Sequence, residues 1–261
     1  MSATEEGTTS RDASLGVSAS KATVTPIEGA AALVTGGDRG FGRAMVDELL
    51  DRGAAKVYAT SRSPHLTRDE RVVPLVLDVT DDDAVTAAAA QAASDVSIVV
   101  NNAGINLNTP VLDAPLADIR AELETNLFGT IHVARAFAPV LARHPSSSLV
   151  NVLSVLSWLA YGKGYEISKA AAWSATNSMR VRLRDQGTTV TAVHVAYMET
   201  DMTARLDVAK LDPRDVARQV ADAISAGELE VLADDITRTV KSKLSEEVTA
   251  LYPQIAEARA A

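Results

Sequence analysis

The sequence of 261 residues predicts a doubly wound α/β fold, with a central parallel sheet of about seven strands and helices on both faces. Short apolar runs alternate with helical patterns from residue 30 to residue 233, and the connections between them are short. A glycine-rich loop lies between the first such run and the first helix. Because ligands bind at the carboxyl ends of parallel strands, the residues that follow each strand are the candidates for function.

Composition limits the possible classes of function. The chain is 47% apolar, which suits one domain with a large core, and its net charge of −9 with singly scattered basic residues argues against nucleic-acid binding. No apolar run reaches the ~18 residues of a membrane span. The chain lacks cysteine, which suits a reducing cytoplasm, and its four histidines have no ligand spacing, so no metal site is expected.

The first strand, the glycine loop and the first helix have the arrangement of a pyrophosphate site. The apolar run Ala30–Thr35 leads into Gly36–Gly42, and the helical pattern that follows ends before Gly53. In this arrangement backbone N–H groups and a helix N-terminus hold a phosphate group. The candidate binding residues are Thr35, Gly36, Asp38, Arg39, Gly40, Phe41 and Gly42. A tight turn without a ligand is the alternative interpretation.

The second strand favours NADP over NAD as the cofactor. Lys56–Thr60 ends in Ser61 and Arg62, where an NAD-binding protein usually has Asp or Glu for the ribose 2′-hydroxyl. Arg62 and Arg39 offer guanidinium groups suited to the 2′-phosphate of NADP. Two solvated surface arginines are the alternative.

The third strand, Val72–Leu77, ends in Asp78 and Val79. The Asp78 carboxylate could accept a hydrogen bond from an adenine amino group, which makes both residues candidates for cofactor binding. Thr80 and the three aspartates after it are expected to form the cap and the acidic first turn of a helix.

The fourth strand, Ser97–Val100, opens into the sequence N-N-A-G. Asn102, Ala103 and Gly104 would let the backbone approach a ligand closely, although asparagines at such a place also simply satisfy loop backbone. One long helix is expected from Leu116 to about Arg143, with Asn126 in its middle. Taken by itself, an asparagine inside a helix is expected to be exposed.

The pattern Y-E-I-S-K, Tyr165–Lys169, predicts an acid–base pair. Residues four apart on a helix lie on one face, so Lys169 is expected beside Tyr165. A free phenol titrates near pH ~10, and a nearby ammonium lowers that pKa by ~1–3 units, which would prepare Tyr165 to exchange a proton with a carbonyl or alcohol oxygen. The preceding strand, Leu149–Leu153, brings Ser154 and Ser157 to its end. An amphipathic helix with a half-buried tyrosine and a solvated lysine is the alternative.

The remaining chain completes the alternation. Val190–Val195 is predicted to be a strand, followed by a loop, by a helix at Pro213–Ala226 and by a short strand at Glu230–Ala233. An amphipathic, charged helix that includes K-S-K-L-S-E-E-V is expected at the C-terminus.

These motifs together resemble the short-chain dehydrogenase/reductase family over about residues 27–235. The resemblance rests on T-G-G-D-R-G-F-G, D-V, N-N-A-G, E-T-N-L-F-G, N-V-L-S and Y-E-I-S-K, and it implies a Rossmann fold. It implies that Tyr165 is the acid–base group, that Lys169 tunes it and binds the nicotinamide ribose, that Ser154 holds the substrate oxygen and that Asn126 anchors a water in a proton relay. It also implies that the loop with Met198 and Thr200 meets the nicotinamide, although Val195 and Ala196 stand where the family usually has Pro-Gly.

Composition and the extent of this resemblance together predict three parts of the chain. Residues 1–25, rich in Ser, Thr, Ala and Gly, are expected to form a flexible leader. Residues 26–235 would form the dinucleotide-binding and catalytic domain, and residues 236–261 a helical tail that packs on this domain or extends from it. A homodimer through the helices that begin at Leu116 and Tyr165 is expected, with a tetramer as the alternative.

The sequence therefore predicts an NADP-dependent oxidoreductase that interconverts a carbonyl and an alcohol. The expected substrate is largely apolar, because the candidate walls, which could also be ordinary core, are Ile105, Leu107, Leu156, Trp158, Tyr161, Met198 and Met202. Two other functions remain open: an isomerase or dehydratase that retains its cofactor, and a non-catalytic NADP-binding scaffold.

Overall fold

The structure, a computed structural model, describes residues 24–65, 69–92 and 95–255. A seven-stranded parallel sheet forms its centre, in the order β3-β2-β1-β4-β5-β6-β7. This sheet confirms the predicted doubly wound α/β fold. The strands are β1 (Ala31–Thr35), β2 (Lys56–Ser61), β3 (Val72–Val76), β4 (Val96–Asn101), β5 (Ser147–Val152), β6 (Thr188–His194) and β7 (Glu230–Leu232).

Helices connect the strands and cover both faces of the sheet. They are α1 (Gly40–Asp51), α2 (Asp82–Gln91), α3 (Leu116–Leu123), α4 (Gly129–Leu141), α5 (Gly164–Leu183), α6 (Pro213–Ala226), α7 (Asp235–Ser242) and α8 (Val248–Leu251). Within the residues that the structure describes, no helix combines the length and the apolar character that crossing a membrane requires.

The core consists mainly of two apolar layers, one on each face of the sheet. Alternate residues of β1 enter different layers, because successive side chains of a strand point to opposite faces. Val34 packs in the layer that contains α1 and α6, whereas Leu33 packs in the layer that contains α2 and α4. This two-sided burial explains why β1 and β4 are continuous apolar runs without the polar alternation of a half-exposed strand.

The predicted long helix from Leu116 to Arg143 is interrupted. Glu124–Phe128 forms a π-helical turn between α3 and α4. A π turn adds a residue to the helical turn and so changes the direction in which the following side chains point. As a result Asn126 is only 1% exposed, and the expectation that it is exposed was wrong.

The ends of the chain also differ from the prediction. Thr25, assigned to the flexible leader, is fully buried, and its Oγ1 accepts a hydrogen bond from Ser148 Oγ at 3.0 Å; residues 1–23 of the leader lie outside the described residues. The charged C-terminal helix is not continuous, because α7 ends at Ser242 and α8 begins at Val248. The tail packs on the domain through Tyr252, whose hydroxyl accepts a hydrogen bond from Ala160 N at 3.0 Å.

The N-cap of α2 lies one residue later than expected, at Asp81 and not at Thr80. The Asp81 side chain accepts a hydrogen bond from Ala84 N, so Asp81 is the cap. Thr80 instead donates its hydroxyl to Asp78 Oδ1 at 2.7 Å. The first turn of α2 is acidic, as predicted, with Asp82 and Asp83.

The strand order determines where the ligand crevice lies. The chain moves outward from β1 to β2 and β3, then returns to β4 on the other side of β1. The loops after β1 and β4 therefore separate toward opposite faces and leave a crevice at the carboxyl ends of these strands. The glycine loop, the N-N-A-G segment and the loops after β5 and β6 all border this edge of the sheet.

His194 gives the fold a specific pH dependence. The side chain is fully buried at the end of β6, where its ring stacks on Trp158 at 3.8 Å between ring centroids. Burial lowers the pKa of His194 to about 4, from 6.5 in an exposed histidine. The unfolded chain thus binds one more proton than the folded chain between about pH 6.5 and 4, and stability must fall as the pH decreases through this window.

We expect the free energy of unfolding of the wild type to lose up to about 3 kcal/mol between pH 7 and pH 4 through this one residue, at about 1.4 kcal/mol per pKa unit. His194→Gln cannot bind that proton, so its pH dependence should be shallower by this amount. Denaturant titrations at several pH values measure the difference, with His144→Gln at a partly exposed position as the control. Parallel curves for wild type and His194→Gln would contradict the prediction.

Candidate active site

The glycine loop gives α1 an N-terminus that is open to an anion. Arg39 is the N-cap, but its side chain makes no capping hydrogen bond, and the first turn contains no acidic residue. Gly36 and Gly40 have positive φ angles of 63° and 53°, which side chains rarely allow. A Cβ on Gly42 would lie 2.0 Å from Gly36 O. The loop can therefore be built only with these glycines, and it leaves the first N–H groups of α1 for a phosphate.

Thr35 joins the ends of β1 and β4 at the floor of the crevice. Its Oγ1 accepts hydrogen bonds from Asn102 N at 2.9 Å and Ala103 N at 3.0 Å. In return, Asn102 Nδ2 donates to Thr35 O at 2.9 Å and to Gly36 O at 3.1 Å. The side chains of Thr35 and Asn102 thus hold the glycine loop against the N-N-A-G loop, whereas the Phe41 side chain is buried in the core.

The cofactor candidates after β2 and β3 lie at the outer side of this crevice. Ser61 ends β2, and Arg62 is exposed beyond it. Asp38 accepts hydrogen bonds from His65, through the backbone N–H at 3.0 Å and through Nδ1 at 2.5 Å. Two hydrogen bonds from Thr80 lower the pKa of Asp78, so its carboxylate is ionised at neutral pH. Val79 is buried against Gly129.

The loop after β6 approaches the glycine loop. A Cβ on Gly40 would lie 3.4 Å from Thr200 Cγ2, so the two loops are in near contact. Arg39 Nη1 and Asp201 Oδ2 form an exposed ion pair at 2.9 Å. Met198 packs against the core beneath this loop, and its carbonyl accepts a hydrogen bond from Thr203. An exposed pair of this kind contributes about 0–1 kcal/mol, so the Arg39 guanidinium can exchange Asp201 for another anion.

Asn126 connects the loop after β4 to α5. Its Oδ1 accepts from Ile105 N at 2.8 Å, and its Nδ2 donates to Ile105 O and to Ser168 Oγ, both at 2.9 Å. Ser168 Oγ in turn donates to Tyr165 O at 2.7 Å. A Cβ on Gly104 would lie 3.0 Å from Asn126 Oδ1 and 3.8 Å from Lys169 Nζ. The π turn therefore places this asparagine beside the tyrosine and the lysine.

Ser154, Tyr165 and Lys169 lie together in a buried group. Ser154 follows β5, and its hydroxyl is near enough to the Tyr165 phenol to lower the pKa of that phenol. Ser154 Oγ accepts a hydrogen bond from Leu156 N at 3.1 Å and donates to Val195 O at 3.4 Å. Lys169 Nζ lies 5.6 Å from the centre of the Tyr165 ring and donates to Val152 O at 2.9 Å. Both Tyr165 and Lys169 are buried. The alternative interpretation, a half-buried tyrosine and a solvated lysine, was therefore wrong.

The expectation that Lys169 lowers the pKa of Tyr165 was wrong for the chain alone. Burial raises the pKa of Tyr165 because the phenolate loses its hydration, and the neighbouring Ser154 hydroxyl offsets only part of this effect. Burial also lowers the pKa of Lys169 to about 8, since the ammonium is desolvated as well. The group therefore contains a neutral phenol beside a lysine that can lose or keep its proton near neutral pH.

Tyr161 and Ser157, the nearby tyrosine and serine that could be considered for the roles of Tyr165 and Ser154, are placed differently. Tyr161 is 64% exposed, and Ser157 is buried within the 3₁₀ turn after Ser154. Among the expected walls, Trp158 is core that packs between His194 and Trp173. Ile105 and Leu156 are partly buried, whereas Leu107 and Met202 are exposed.

Sequence reasoning missed two buried residues beside the site. Glu122 lies on α3 with its carboxyl at the start of α5, and His194 lies behind Ser154, with Nδ1 at 3.1 Å from Ser154 O. The signal for Glu122 was a charged residue four positions before Asn126, on the same helix face. Within the described residues no cluster of potential metal ligands is found.

The chain is similar to known proteins over most of its length. The model of the protein family described as short chain dehydrogenase matches residues 30–210. The chain is 31% identical over 222 residues to a 3-oxoacyl-[acyl-carrier-protein] reductase, FabG, from Vibrio cholerae, covering 75% of this chain and 89% of that protein. It is also 29% identical to an uncharacterized oxidoreductase from Staphylococcus aureus over 210 residues, covering 74% of this chain and 90% of the relative.

Two solved structures are similar to the fold. A short chain dehydrogenase from Burkholderia cenocepacia in complex with NADP has a TM-score of 0.83 and 35% identity, covering 88% of this chain and 98% of that one. A short chain dehydrogenase/reductase from Burkholderia phymatum in complex with NAD has a TM-score of 0.74 and 22% identity, covering 83% and 93%. At that identity the second likeness shows the fold alone.

Thr35→Val should destabilise the protein, because the methyl group leaves the N–H groups of Asn102 and Ala103 without an acceptor. The expected loss is about 2–3 kcal/mol, since an unsatisfied buried group costs about 1–3 kcal/mol. Thr35→Ser retains the hydroxyl and serves as the matched control, with a smaller loss. Denaturant unfolding of both variants measures the difference, and equal stabilities of the two variants would contradict it.

Proposed function

The chain belongs to the short-chain dehydrogenase family, and from this premise we propose that it is an NADP-dependent oxidoreductase that interconverts a ketone or aldehyde and an alcohol. The observation that carries the proposal is the buried group of Ser154, Tyr165 and Lys169 at the carboxyl edge of the sheet. Tyr165 and Lys169 belong to α5, whereas Ser154 follows β5, so the group exists only in the folded chain.

The residues present fit a nicotinamide dinucleotide, which supplies the hydride when it is bound. The uncapped N-terminus of α1 and the close backbone packing at Gly36 and Gly42 suit a pyrophosphate. The ionised Asp78 suits the adenine amino group. Asn102, Ala103 and Gly104 would border the cofactor, Lys169 would bind the nicotinamide ribose, and Met198 and Thr200 would meet the nicotinamide.

The catalytic group is suited to moving a proton. Because burial raises the pKa of Tyr165, the phenol keeps its proton at neutral pH and can donate it to a carbonyl oxygen that becomes an alcohol. Ser154 Oγ would donate a second hydrogen bond to the same oxygen. In the reverse direction, a positive charge on Lys169 would favour the phenolate. Asn126 would anchor a water of the proton relay.

The preference for NADP is part of the proposal. Arg62 is exposed at the end of β2, and Arg39 lies at the N-cap of α1 in a weak surface ion pair. Both guanidinium groups are thus available for a 2′-phosphate. One similar structure holds NADP and another holds NAD, so the preference rests on these two arginines.

We also propose a largely apolar substrate, a cytoplasmic location and a homodimer. Ile105 and Leu156 would form the walls nearest the catalytic group, and the absence of cysteine suits a reducing compartment. The dimer would use α4 and α5, whose outer faces form a groove of about 420 Å³. The groove is lined mainly by small and apolar residues, including Ala134, Ala138, Ala175, Ser178 and Met179.

Tyr165→Phe and Ser154→Ala should remove turnover while cofactor binding remains. We expect kcat for NADPH-dependent reduction of apolar ketones and aldehydes to fall about 10²–10⁴-fold for Tyr165→Phe and about 10²–10³-fold for Ser154→Ala. Tyr161→Phe and Ser157→Ala are the matched controls and should keep most activity. Cofactor binding with turnover unchanged in Tyr165→Phe would overturn the proposal, and substrate conversion without net cofactor oxidation would favour an isomerase or dehydratase.

Arg62→Ala should weaken the binding of NADPH and leave that of NADH nearly unchanged. One charge-assisted hydrogen bond contributes about 1.5–3 kcal/mol to binding, so its loss should increase the Kd for NADPH about 10–100-fold. A fluorescence titration with both cofactors measures this ratio. Arg184→Ala, at the opposite edge of the sheet before β6, is the matched control. An NADPH affinity that is the same in wild type and Arg62→Ala would refute the assignment of Arg62.

A further inference from the structure

Glu122 is a fully buried carboxyl group at the junction of three parts of the site. It lies on α3 and is 0% exposed. Its Oε1 accepts a hydrogen bond from Leu107 N, at 2.7 Å, in the loop after β4. Its Oε2 is buried without a hydrogen-bond partner in the described part of the chain. A Cβ on Gly164 would lie only 2.4 Å from Oε2, so the carboxyl packs against the residue just before Tyr165.

The charged groups around Glu122 are acidic. Asp118 faces it from α3 and Glu166 faces it from α5, and both raise its pKa further after the main effect of burial. The hydrogen bond from Leu107 N acts in the opposite direction but is weaker than burial. Glu166 is held separately, since its Oε2 accepts from Tyr161 N at 2.7 Å and Lys163 N at 3.0 Å. Burial and these two carboxylates therefore raise the pKa of Glu122 above its ordinary value.

Glu122 also acts on the phenol of Tyr165. The negative charge of the ionised carboxyl raises the pKa of Tyr165, in the same direction as burial of the phenol. Two groups of the same charge oppose each other's ionisation. The proton on Glu122 and the proton on Tyr165 are therefore linked, although the structure shows no hydrogen bond between the two side chains.

We propose that Glu122 is a positioning residue for Tyr165 in the oxidoreductase reaction proposed above: its buried carboxyl accepts a hydrogen bond from the loop after β4, packs against the first turn of α5, and so fixes both the start of the helix that carries Tyr165 and the charge around its phenol. When Glu122 is neutral, it holds Leu107 and the start of α5 without opposing the phenolate. When Glu122 is ionised, it disfavours the phenolate, which alcohol oxidation requires. The proposal rests on the proposed role of Tyr165.

The first arm of the test is the pH profile of the reaction. Glu122→Gln keeps the size of the side chain and an oxygen for Leu107 N but cannot ionise. We expect the rise of kcat/KM for alcohol oxidation with pH to move about half a pH unit or more toward lower pH, because one opposing charge is removed from the surroundings of Tyr165. Glu124→Gln, at an exposed position two residues later at the start of the π turn, is the matched control and should leave the profile unchanged.

The second arm of the test measures thermal stability and does not require enzyme activity. An acid whose pKa is raised in the folded state keeps its proton to a higher pH in the folded chain than in the unfolded chain. The free energy of unfolding therefore decreases as the pH rises from the unfolded pKa, about 4.3 for a glutamate, through the folded pKa. Thermal unfolding of the cofactor-free protein should therefore show Glu122→Gln gaining Tm relative to the wild type as the pH increases over this range. Glu124→Gln should show no such trend.

The outcomes separate this proposal from the proposed function. A shift in both arms supports the role of Glu122. A stability trend without a shift of the pH profile overturns it, because Glu122 would then be only a buried structural acid, and the absence of both effects also overturns it. If Tyr165→Phe keeps full activity, the proposed function fails, whereas the stability arm still reports whether Glu122 is a buried acid that resists ionisation.

A second variant tests whether the hydrogen bond from Leu107 N to Glu122 is needed to position Tyr165. Glu122→Val removes the acceptor for Leu107 N as well as the charge, so it should lower kcat at least about 10-fold relative to Glu122→Gln at the pH optimum of each, while NADPH affinity changes little. Rescue of kcat by Gln but not by Val supports the positioning role. Equal kcat values in the two variants would overturn this half, because the link to Leu107 would then be dispensable.

Discussion

The hydrogen bonds between the ends of β1 and β4 are the constraint on which the site depends. A doubly wound sheet must separate at the point where its strand order reverses, and the backbone groups at the separating ends lose their ladder partners. Thr35 Oγ1 accepts from the N–H groups of Asn102 and Ala103, and the Asn102 amide donates to Thr35 O and Gly36 O. Side chains thus replace the missing backbone bonds and keep the crevice both open and rigid. The glycine loop on one side and the loop before Ile105 on the other take their positions from this link.

The second feature is the burial of three ionisable groups in one place. Tyr165, Lys169 and Glu122 each lose hydration, and in each case burial is the largest effect on the pKa and favours the uncharged form. In such surroundings a charge on one group has a strong influence on its neighbours, because little water screens it. A hydride transfer that changes the charge of the reacting oxygen would therefore change the pKa of all three groups.

Buried amides connect this group to the sheet behind it. Asn126 reaches the tyrosine helix through Ser168, while Asn101 donates to Asn151 at 3.0 Å and Asn151 donates to Thr176 at 2.9 Å. These side chains join β4, β5 and α5 by hydrogen bonds that have only one good geometry, whereas apolar contacts tolerate small shifts. The position of α5 relative to Ser154 is therefore specified by polar contacts as well as by packing. On the outer side, Tyr252 of the tail bonds to the loop that follows Ser154 and so limits its movement.

The sequence by itself determined the fold class, the strands and the positions of the motifs, because two-sided burial makes each central strand a continuous apolar run and because the glycine loop is a local backbone requirement. Helix α6 was predicted to the residue, since Pro213 and Gly227 mark its ends locally. The π turn, the burial of Asn126 and Glu122, and the direction in which the pKa of Tyr165 moves could not be obtained in this way. Each depends on what surrounds a side chain in three dimensions, and desolvation by residues distant in sequence outweighs the effect of the neighbour four positions along the helix. The sequence determined which groups the chain carries, and the tertiary structure decided which of them are buried together and therefore which forms they take.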